Sequence, residues 1–267
     1  MRRISSRQNP LVTRFRDLAR GRGAAELILL DGEHLLEEAL DSGVVLETVA
    51  FAERAIDARA DHLVDRVLRA GAEAVRVPET VMAALSPVKA PAGIVAIARA
   101  RAAPIETVLA GEMPLVLLLD NVQDAGNVGA IIRTADACGA SGVITTVGTA
   151  DPFGWKALRG AMGSTFRLPI AVAQPLDAAI EQARQRGLAI AATVPRRGTP
   201  LPQANLRRPL AILLGGEGRG LSDAAIAAAD DHVTIPMRAP VESLNVAVTA
   251  ALILYEASRQ RHDVPLR

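Results

Sequence analysis

The stretch that decides the fold is Leu115-Val-Leu-Leu-Leu-Asp-Asn-Val-Gln-Asp-Ala-Gly-Asn-Val-Gly-Ala-Ile-Ile-Arg133. Its first five residues are apolar without interruption, the pattern of a strand buried on both faces. A polar, glycine-containing loop begins at Asp120, and a helix is predicted from about Asn127 to Cys138. Strand, loop and helix in immediate succession form the repeating unit of a parallel α/β sheet.

Downstream the unit recurs. Strands are predicted at Gly142 to Val147, Arg167 to Val172, Leu188 to Thr193, Leu210 to Leu214 and His232 to Ile235. Helices are predicted near Trp155 to Met162, from Leu176 to Arg186, after the cap Ser222, and from Ser243 to Arg261. The result is a mostly parallel sheet with helices on both faces. Upstream lies a smaller α/β layer. A basic helix opens at Asn9-Pro10 and runs to about Ala19. Strands at Glu26 to Leu30, Val44 to Phe51, Glu73 to Val77 and Gly93 to Ala98 alternate with helices at Gly32 to Leu40 (Asp31 as N-cap), at Asp57 to Ala70 and just after Pro78. Three segments follow: residues 1–100 as one domain, 101–113 as a linker, and 114–267 as the second domain.

Composition narrows the function. Half the residues are apolar and 22% are charged, so a packed globular chain is expected. Aromatic residues make up only 2%, which disfavours recognition by stacking bases on rings. Cys138 is the single cysteine, and His34, His62, His232 and His262 have no metal-binding spacing. A metal site is therefore not expected. The N-terminus has no apolar signal core and no run of about 18 apolar residues occurs, so a cytoplasmic protein is predicted, without a membrane span. Net charge is +1, yet arginine crowds the first 22 residues. Arg2, Arg3, Arg7, Arg14 and Arg16 form either a solvated arm or a phosphate-binding, and hence RNA-binding, one.

Chemistry concentrates in three loops at the carboxyl ends of strands, where ligands of open α/β folds bind. The first carries Asn127 and leads to Arg133, an arginine among apolar helix residues. Arg133 either pairs internally, with Asp136 or Glu217, or faces a substrate. The second is Gly215-Gly-Glu217-Gly-Arg-Gly220, a tight turn or a place where backbone meets a ligand closely. It fails the dinucleotide G-x-G-x-x-G spacing because Leu221 replaces the last glycine, and no phosphate-loop motif exists. The third runs from Pro236 to Glu242, with Ser243 after it placed as a helix N-cap.

Together these loops resemble the three motifs of the SpoU (TrmH) class of SPOUT RNA 2′-O-ribose methyltransferases. The residues that carry the likeness are Asn127-Val-Gly129 with Arg133, Gly215-Gly-Glu217-Gly-Arg-Gly220-Leu-Ser, and Ile235-Pro-Met237 with Ser243-Leu-Asn245-Val. Residues 1–100 look like the L30e-like substrate-binding domain found in this class, through Asn9-Pro10 and Leu30-Asp-Gly-Glu-His-Leu-Leu-Glu-Glu-Ala39. The resemblance implies a deep trefoil knot in the second domain, S-adenosylmethionine as cofactor, an RNA substrate and a homodimer. It assigns cofactor binding to Thr193, Gly215, Glu217, Ile235, Met237 and Leu244. It assigns the chemistry to Asn127, Arg133, Glu217, Ser243 and Asn245. Ala239 and Ala247 depart from a common glycine and serine, which touches no polar motif residue.

A sulfonium methyl is already electrophilic, so the protein's task is to align a ribose 2′-hydroxyl and let its proton leave. A guanidinium rarely gives up a proton. Arg133 is therefore expected to clamp the neighbouring phosphate and polarise the hydroxyl, with Asn127, Ser243 and Asn245 orienting it and Glu217 fixing Arg133 or its loop. Ribosomal RNA, 23S in particular, is the expected substrate. A tRNA methyltransferase and a non-catalytic RNA-binding protein of the same fold are the alternatives. The apolar stripe Leu244, Val248, Leu252 and Tyr255 either packs on its own sheet or forms the dimer face.

Overall fold

Short apolar strands alternating with amphipathic helices build one sheet from the first hundred residues, and the Leu/Val runs after Leu115 build a second. A computed structural model describes residues 1–55 and 58–261, with backbone only at 58–61; Asp57 and His262, both singled out in the sequence, lie outside the described residues. The first part contains β1 (Arg2–Arg3), α1 (Pro10–Ala19), β2 (Leu27–Asp31), α2 (Glu33–Asp41), β3 (Val45–Ala52), α3 (Ala58–Arg69), β4 (Glu73–Val77), α4 (Glu79–Leu85) and β5 (Ile94–Arg99). Then come α5 (Ile105–Val108), β6 (Leu115–Asp120), α6 (Ala125–Ala137), β7 (Gly142–Thr146), α7 (Trp155–Ala161), β8 (Ile170–Gln174) and α8 (Leu176–Gln185). The chain continues with β9 (Ala189–Thr193), β10 (Thr199–Pro200), β11 (Leu210–Gly215), α9 (Asp223–Ala227), β12 (Asp231–Thr234) and α10 (Val246–Arg261). By contacts these form two compact units, Met1–Arg101 with Phe153–Phe166, and Ala102–Pro152 with Arg167–Arg267.

In the first unit a five-stranded sheet runs in the order β1-β4-β3-β5-β2, with β5 antiparallel to both β3 and β2. Each face carries a core. Leu35, Leu36, Leu63 and Val67 pack on one, and Val12, Phe15, Val81 and Met82 on the other. The basic N-terminus is thus not an arm. Asn9 caps α1 by accepting from the Leu11 N–H at 3.0 Å, Pro10 occupies the first turn, and Val12 and Phe15 are fully buried. Asp31 is not the N-cap expected of it. It ends β2, buried, and its carboxylate accepts from the Ser86 hydroxyl at 2.5 Å, while Gly32 at φ +106° starts α2.

The second unit holds a seven-stranded sheet, β10-β12-β9-β11-β6-β7-β8, and every pairing in it is parallel. From β6, strands β7 and β8 lie to one side and β11, β9, β12 and β10 to the other, so the strand order reverses at β6 and β11. That reversal opens a crevice at the strands' carboxyl ends. Leu115 to Leu119 are all buried, as a strand covered on both faces requires. The stretch read as a linker contains α5. Ile105 and Val108 are buried in the core beneath β7 and β8, which makes it part of this unit.

One segment departs from the sequence reading. Residues 153–166, which stand between β7 and β8 in the chain, pack in the first unit. Leu158 is buried in its core, α7 lies on edge strand β2, and the Trp155 indole N–H donates to the Ala19 carbonyl at 3.1 Å. Covering an edge strand with a helix masks its backbone. Periodicity showed a helix here but not which sheet it covers. Among the described residues no helix is long and apolar enough to cross a membrane.

Leu158→Ala should therefore destabilise the first unit by about 2–5 kcal/mol, the usual cost of emptying a buried leucine site. Hydrogen exchange in β2 and α2 should accelerate with it. A change under about 1 kcal/mol with unaltered exchange would show that the segment is not part of that core.

Candidate active site

The four strands β12, β9, β11 and β6 lie side by side, and the three polar loops leave the carboxyl ends of three of them. Gly215 pairs with Asp120 in register, so the first and second loops start next to each other. They then touch. A Cβ on Gly216 would stand 1.8 Å from the Asn121 carbonyl oxygen, and one on Gly215 would stand 2.3 Å from the Leu221 nitrogen. Only glycine allows backbone to pass backbone at this distance. Asn121 turns the first loop at φ +56°, a conformation that asparagine tolerates better than most residues. Thr146 fixes this turn from β7, donating to Asp120 at 2.8 Å and accepting from the Asn121 N–H at 3.3 Å.

A hydrogen-bond relay ties the three loops together. The Asn127 side-chain amide donates to Glu217 Oε1 at 2.6 Å, and the Gln123 N–H donates to Glu217 Oε2 at 3.0 Å. The Asn245 amide donates to Asn127 Oδ1 at 3.1 Å. One asparagine thus connects the second loop to the third, and Glu217 reaches back to the first. Burial pushes the Glu217 carboxyl up, but the bonds from Asn127 and from the N–H groups of Glu217, Gln123 and Asp124 outweigh it and hold the pKa below the ordinary carboxylate value. A depressed folded pKa gives stability that is present above the unfolded value, roughly 4.3, and lost as pH falls through the lower folded one. Glu217 is therefore the charged member of the relay near neutrality.

The caps differ from those read in the sequence. Ser243 is not the N-cap of α10. Asn245 is, since its Oδ1 accepts from the N–H of Ala247 at 2.9 Å and of Val248 at 3.3 Å. Ser243 sits two residues earlier, exposed, and its hydroxyl has no partner among the described residues. Likewise Asp124 caps α6 by accepting from the Asn127 N–H at 2.8 Å, so the helix begins earlier than predicted. Asparagine immediately before an apolar run, and aspartate three residues before Asn127, were the available signals.

Arg133 takes neither internal partner considered for it. Asp136 is bound by Arg167 at 2.9 Å and Glu217 by Asn127, so Arg133 is exposed and unpaired among the described residues. Six residues on from Asn127, it points about 120° away around α6. It does not stand with the relay or on the cavity wall.

That cavity, of about 620 Å³, lies between the second and third loops and β9. Thr193, Gly215, Glu217, Ile235, Met237 and Leu244, the residues expected to bind the cofactor, all line it, as do Ser243 and Asn245. Val194, Pro195, Ile226, Thr249 and Ile253, none of them singled out by sequence reasoning, line it too, as does Arg219 of the second motif. The expected RNA ligands stand elsewhere, in the first unit. Arg2 pairs with Glu73, Arg3 with Glu53 and Arg14 with Glu47, while Arg7 and Arg16 donate to the carbonyls of Thr80 and Ala84. Among the described residues no group of three or more His, Cys, Asp or Glu could hold a metal ion.

Fold and site together define an RNA methyltransferase with a separate substrate-binding unit. Residues 114–255 match the SpoU rRNA methylase family and residues 2–96 the MRM3-like substrate binding domain. The chain belongs to the SpoU family. It is 33% identical over 258 residues to the 23S rRNA (guanosine(2553)-2′-O)-methyltransferase RlmP of Bacillus subtilis, covering 96% of this chain and 98% of that one. An uncharacterised tRNA/rRNA methyltransferase of Synechocystis is 35% identical, over 97% of this chain and 94% of its own. The AdoMet-bound rRNA methyltransferase of Sinorhizobium meliloti superposes with a TM-score of 0.87 at 30% identity, covering 97% of each chain.

Asn127→Asp sets two carboxylates against each other and should lower stability by about 1 kcal/mol or more and abolish most methyl transfer. Adding Glu217→Gln restores a donor–acceptor pair in reverse while still accepting from Gln123. Thermal unfolding of both variants checks this: a double variant no more stable than Asn127→Asp would show that the relay does not hold the loops.

Proposed function

We propose that this protein transfers a methyl group from S-adenosylmethionine to a ribose 2′-hydroxyl of 23S ribosomal RNA, acting in the cytoplasm as a homodimer through a knotted second unit. The observation that carries the reading is the Asn127–Glu217–Asn245 relay at the wall of a cavity of cofactor size. Its volume falls within the roughly 300–1,000 Å³ common for small-ligand sites. Aliphatic walls from Leu214, Ile226, Ile235, Met237 and Ile253 suit the faces of an adenine ring. Glu217 and Asp223 suit an ammonium and a sulfonium, and Arg219 suits a carboxylate. Bound there, S-adenosylmethionine would supply a methyl group that needs no further activation.

The chain's own residues then have the task of presenting the hydroxyl. Asn127 and Asn245 commit their polar atoms mainly to each other, to Glu217 and to the start of α10, so they position the loops. Ser243 keeps a free hydroxyl on the cavity wall and is the group placed to exchange a hydrogen bond with the ribose. Arg133, charged and without an internal partner, is reserved for a phosphate. The proton leaves the ribose hydroxyl for water, as the carbon–oxygen bond forms and the carbon–sulfur bond breaks.

The dimer rests on α10. Val248, Leu252 and Tyr255 repeat every three or four residues along it and remain 41–55% exposed, an apolar stripe that a lone chain would leave in water, while Leu244, read into that stripe from the sequence, precedes the helix and lines the cavity. The other face of α10, with Ala250, Ile253, Leu254 and Ala257, is buried.

Incubating the protein with labelled S-adenosylmethionine and total RNA, then mapping 2′-O-methylation, tests the reading. Label confined to tRNA would move the substrate to the tRNA class, and no label with cofactor bound would favour a non-catalytic binder. Arg133→Lys should lower kcat by about 100-fold, since an ammonium cannot reproduce the bidentate grip, and leave cofactor affinity unchanged. Near-normal turnover would refute the phosphate clamp. Val248→Asp with Leu252→Asp should convert the dimer to monomer in sedimentation velocity; a wild-type chain already monomeric at micromolar concentration would dispose of the dimer.

A further inference from the structure

The arginines that the sequence offers as phosphate ligands are largely engaged. Arg2, Arg3 and Arg14 each have a glutamate partner, and Arg7 and Arg16 are held by carbonyls. The fold leaves a different set of cations free. Arg20, Arg22, Lys156 and Arg159 are exposed, and among the described residues none has a side-chain hydrogen bond or ion pair. The first two follow α1, and the last two come from α7, more than 130 residues later in the chain.

The bond from Trp155 to the Ala19 carbonyl brings these pairs together. Arg20 follows Ala19 directly as the C-cap of α1, and the Arg22 N–H is tied back to the Asp17 carbonyl at 2.7 Å. On α7 the buried residues are Ala157, Leu158 and Ala161, so Lys156 and Arg159, one turn apart, face outward. The Lys156 ammonium lies 5.6 Å from the centre of the Trp155 ring. A cation at a helix C-terminus has an ordinary explanation in the helix dipole, but that covers Arg20 and Arg159 and leaves Arg22 and Lys156. The carboxylates on the packed elements do not answer the charge. Asp17 on α1 and Glu33 and Glu37 on α2 pair with none of the four, and Glu38 lies at the far end of α7 against Gly163 and His34.

We propose that Arg20, Arg22, Lys156 and Arg159 form the surface by which the first unit grips RNA phosphates, and that α7 joins that unit to complete it. This rests on the RNA methyltransferase reading above. The recognition is of backbone charge. One half-buried tryptophan offers no platform for stacked bases, so this surface positions the RNA and leaves the choice of nucleotide to other contacts.

Phosphate contacts release counterions, so the slope of log affinity against log salt counts them, at about 0.9 per phosphate on a duplex. The probe is a protein-free 23S ribosomal RNA transcript, with the full chain, read by fluorescence anisotropy over a salt series. Lys156→Ala with Arg159→Ala, and separately Arg20→Ala with Arg22→Ala, should each flatten the slope by about 1–2 and weaken binding about tenfold. Arg2→Ala with Arg3→Ala should leave it unchanged, and Lys156→Arg should retain wild-type behaviour. For methyl transfer the first two variants should raise KM for RNA with kcat kept within about twofold. An unchanged thermal midpoint and cofactor affinity confirm that they fold. Wild-type slopes in both variants, or a flattened slope only in the Arg2 and Arg3 variant, overturn the assignment. The slopes are read whether or not methyl transfer occurs; a wild-type chain that binds cofactor but methylates no RNA would defeat the methyltransferase reading separately.

Discussion

The arrangement depends on Asn127 being held from two sides. Its amide meets Glu217 from the loop after β11, and its carbonyl meets Asn245 at the start of α10. Hydrogen bonds of this kind, one partner being a carboxylate, are worth more than neutral ones and lose most when one member is removed. The sheet makes them possible by putting β11 beside β6 in register. The glycine at 216 makes them short, by letting that loop lie against the Asn121 carbonyl.

Because the three loops are fixed to one another, the cavity wall is preset rather than assembled on binding. Preorganisation of this sort lowers the cost of fixing a ligand and keeps a reacting group in line. The unpaired groups then stand out. Ser243 and Arg219 on the wall and Arg133 outside it retain polar capacity that the fold does not use. In a site otherwise satisfied, these are the groups whose hydrogen-bonding capacity is left for a ligand under the proposed reading.

Much of this could be read in the sequence, for definable reasons. Leu115 to Leu119 is apolar throughout because it is covered on both faces, and β4 runs from Glu73 to Val77 as predicted. The residues expected from the motifs to bind cofactor share one cavity because they lie at or beyond the carboxyl ends of β9, β11 and β12. What could not be read is tertiary choice. Ser243 and Asn245 are both good caps, and only the path of the loop decides for Asn245. Arg2, Arg3 and Arg14 are basic in any reading, but their neutralisation by Glu73, Glu53 and Glu47 depends on strand and helix neighbours far away in the chain. The short helix α5, Ile105–Val108, was hidden in a stretch of alanine, arginine and a proline, where local propensity says little.

The placement of α7 has a consequence for any attempt to take the protein apart. A cut after Arg101 does not free the first unit, since part of its core is encoded fifty residues further on. Exchanging that unit between relatives requires transplanting two stretches at once, and a truncation at residue 101 leaves a body with an uncovered edge. Proteolysis in the intervening chain would likewise leave the first unit built from two non-covalent fragments. The two units are distinct in their internal contacts but not as consecutive pieces of gene.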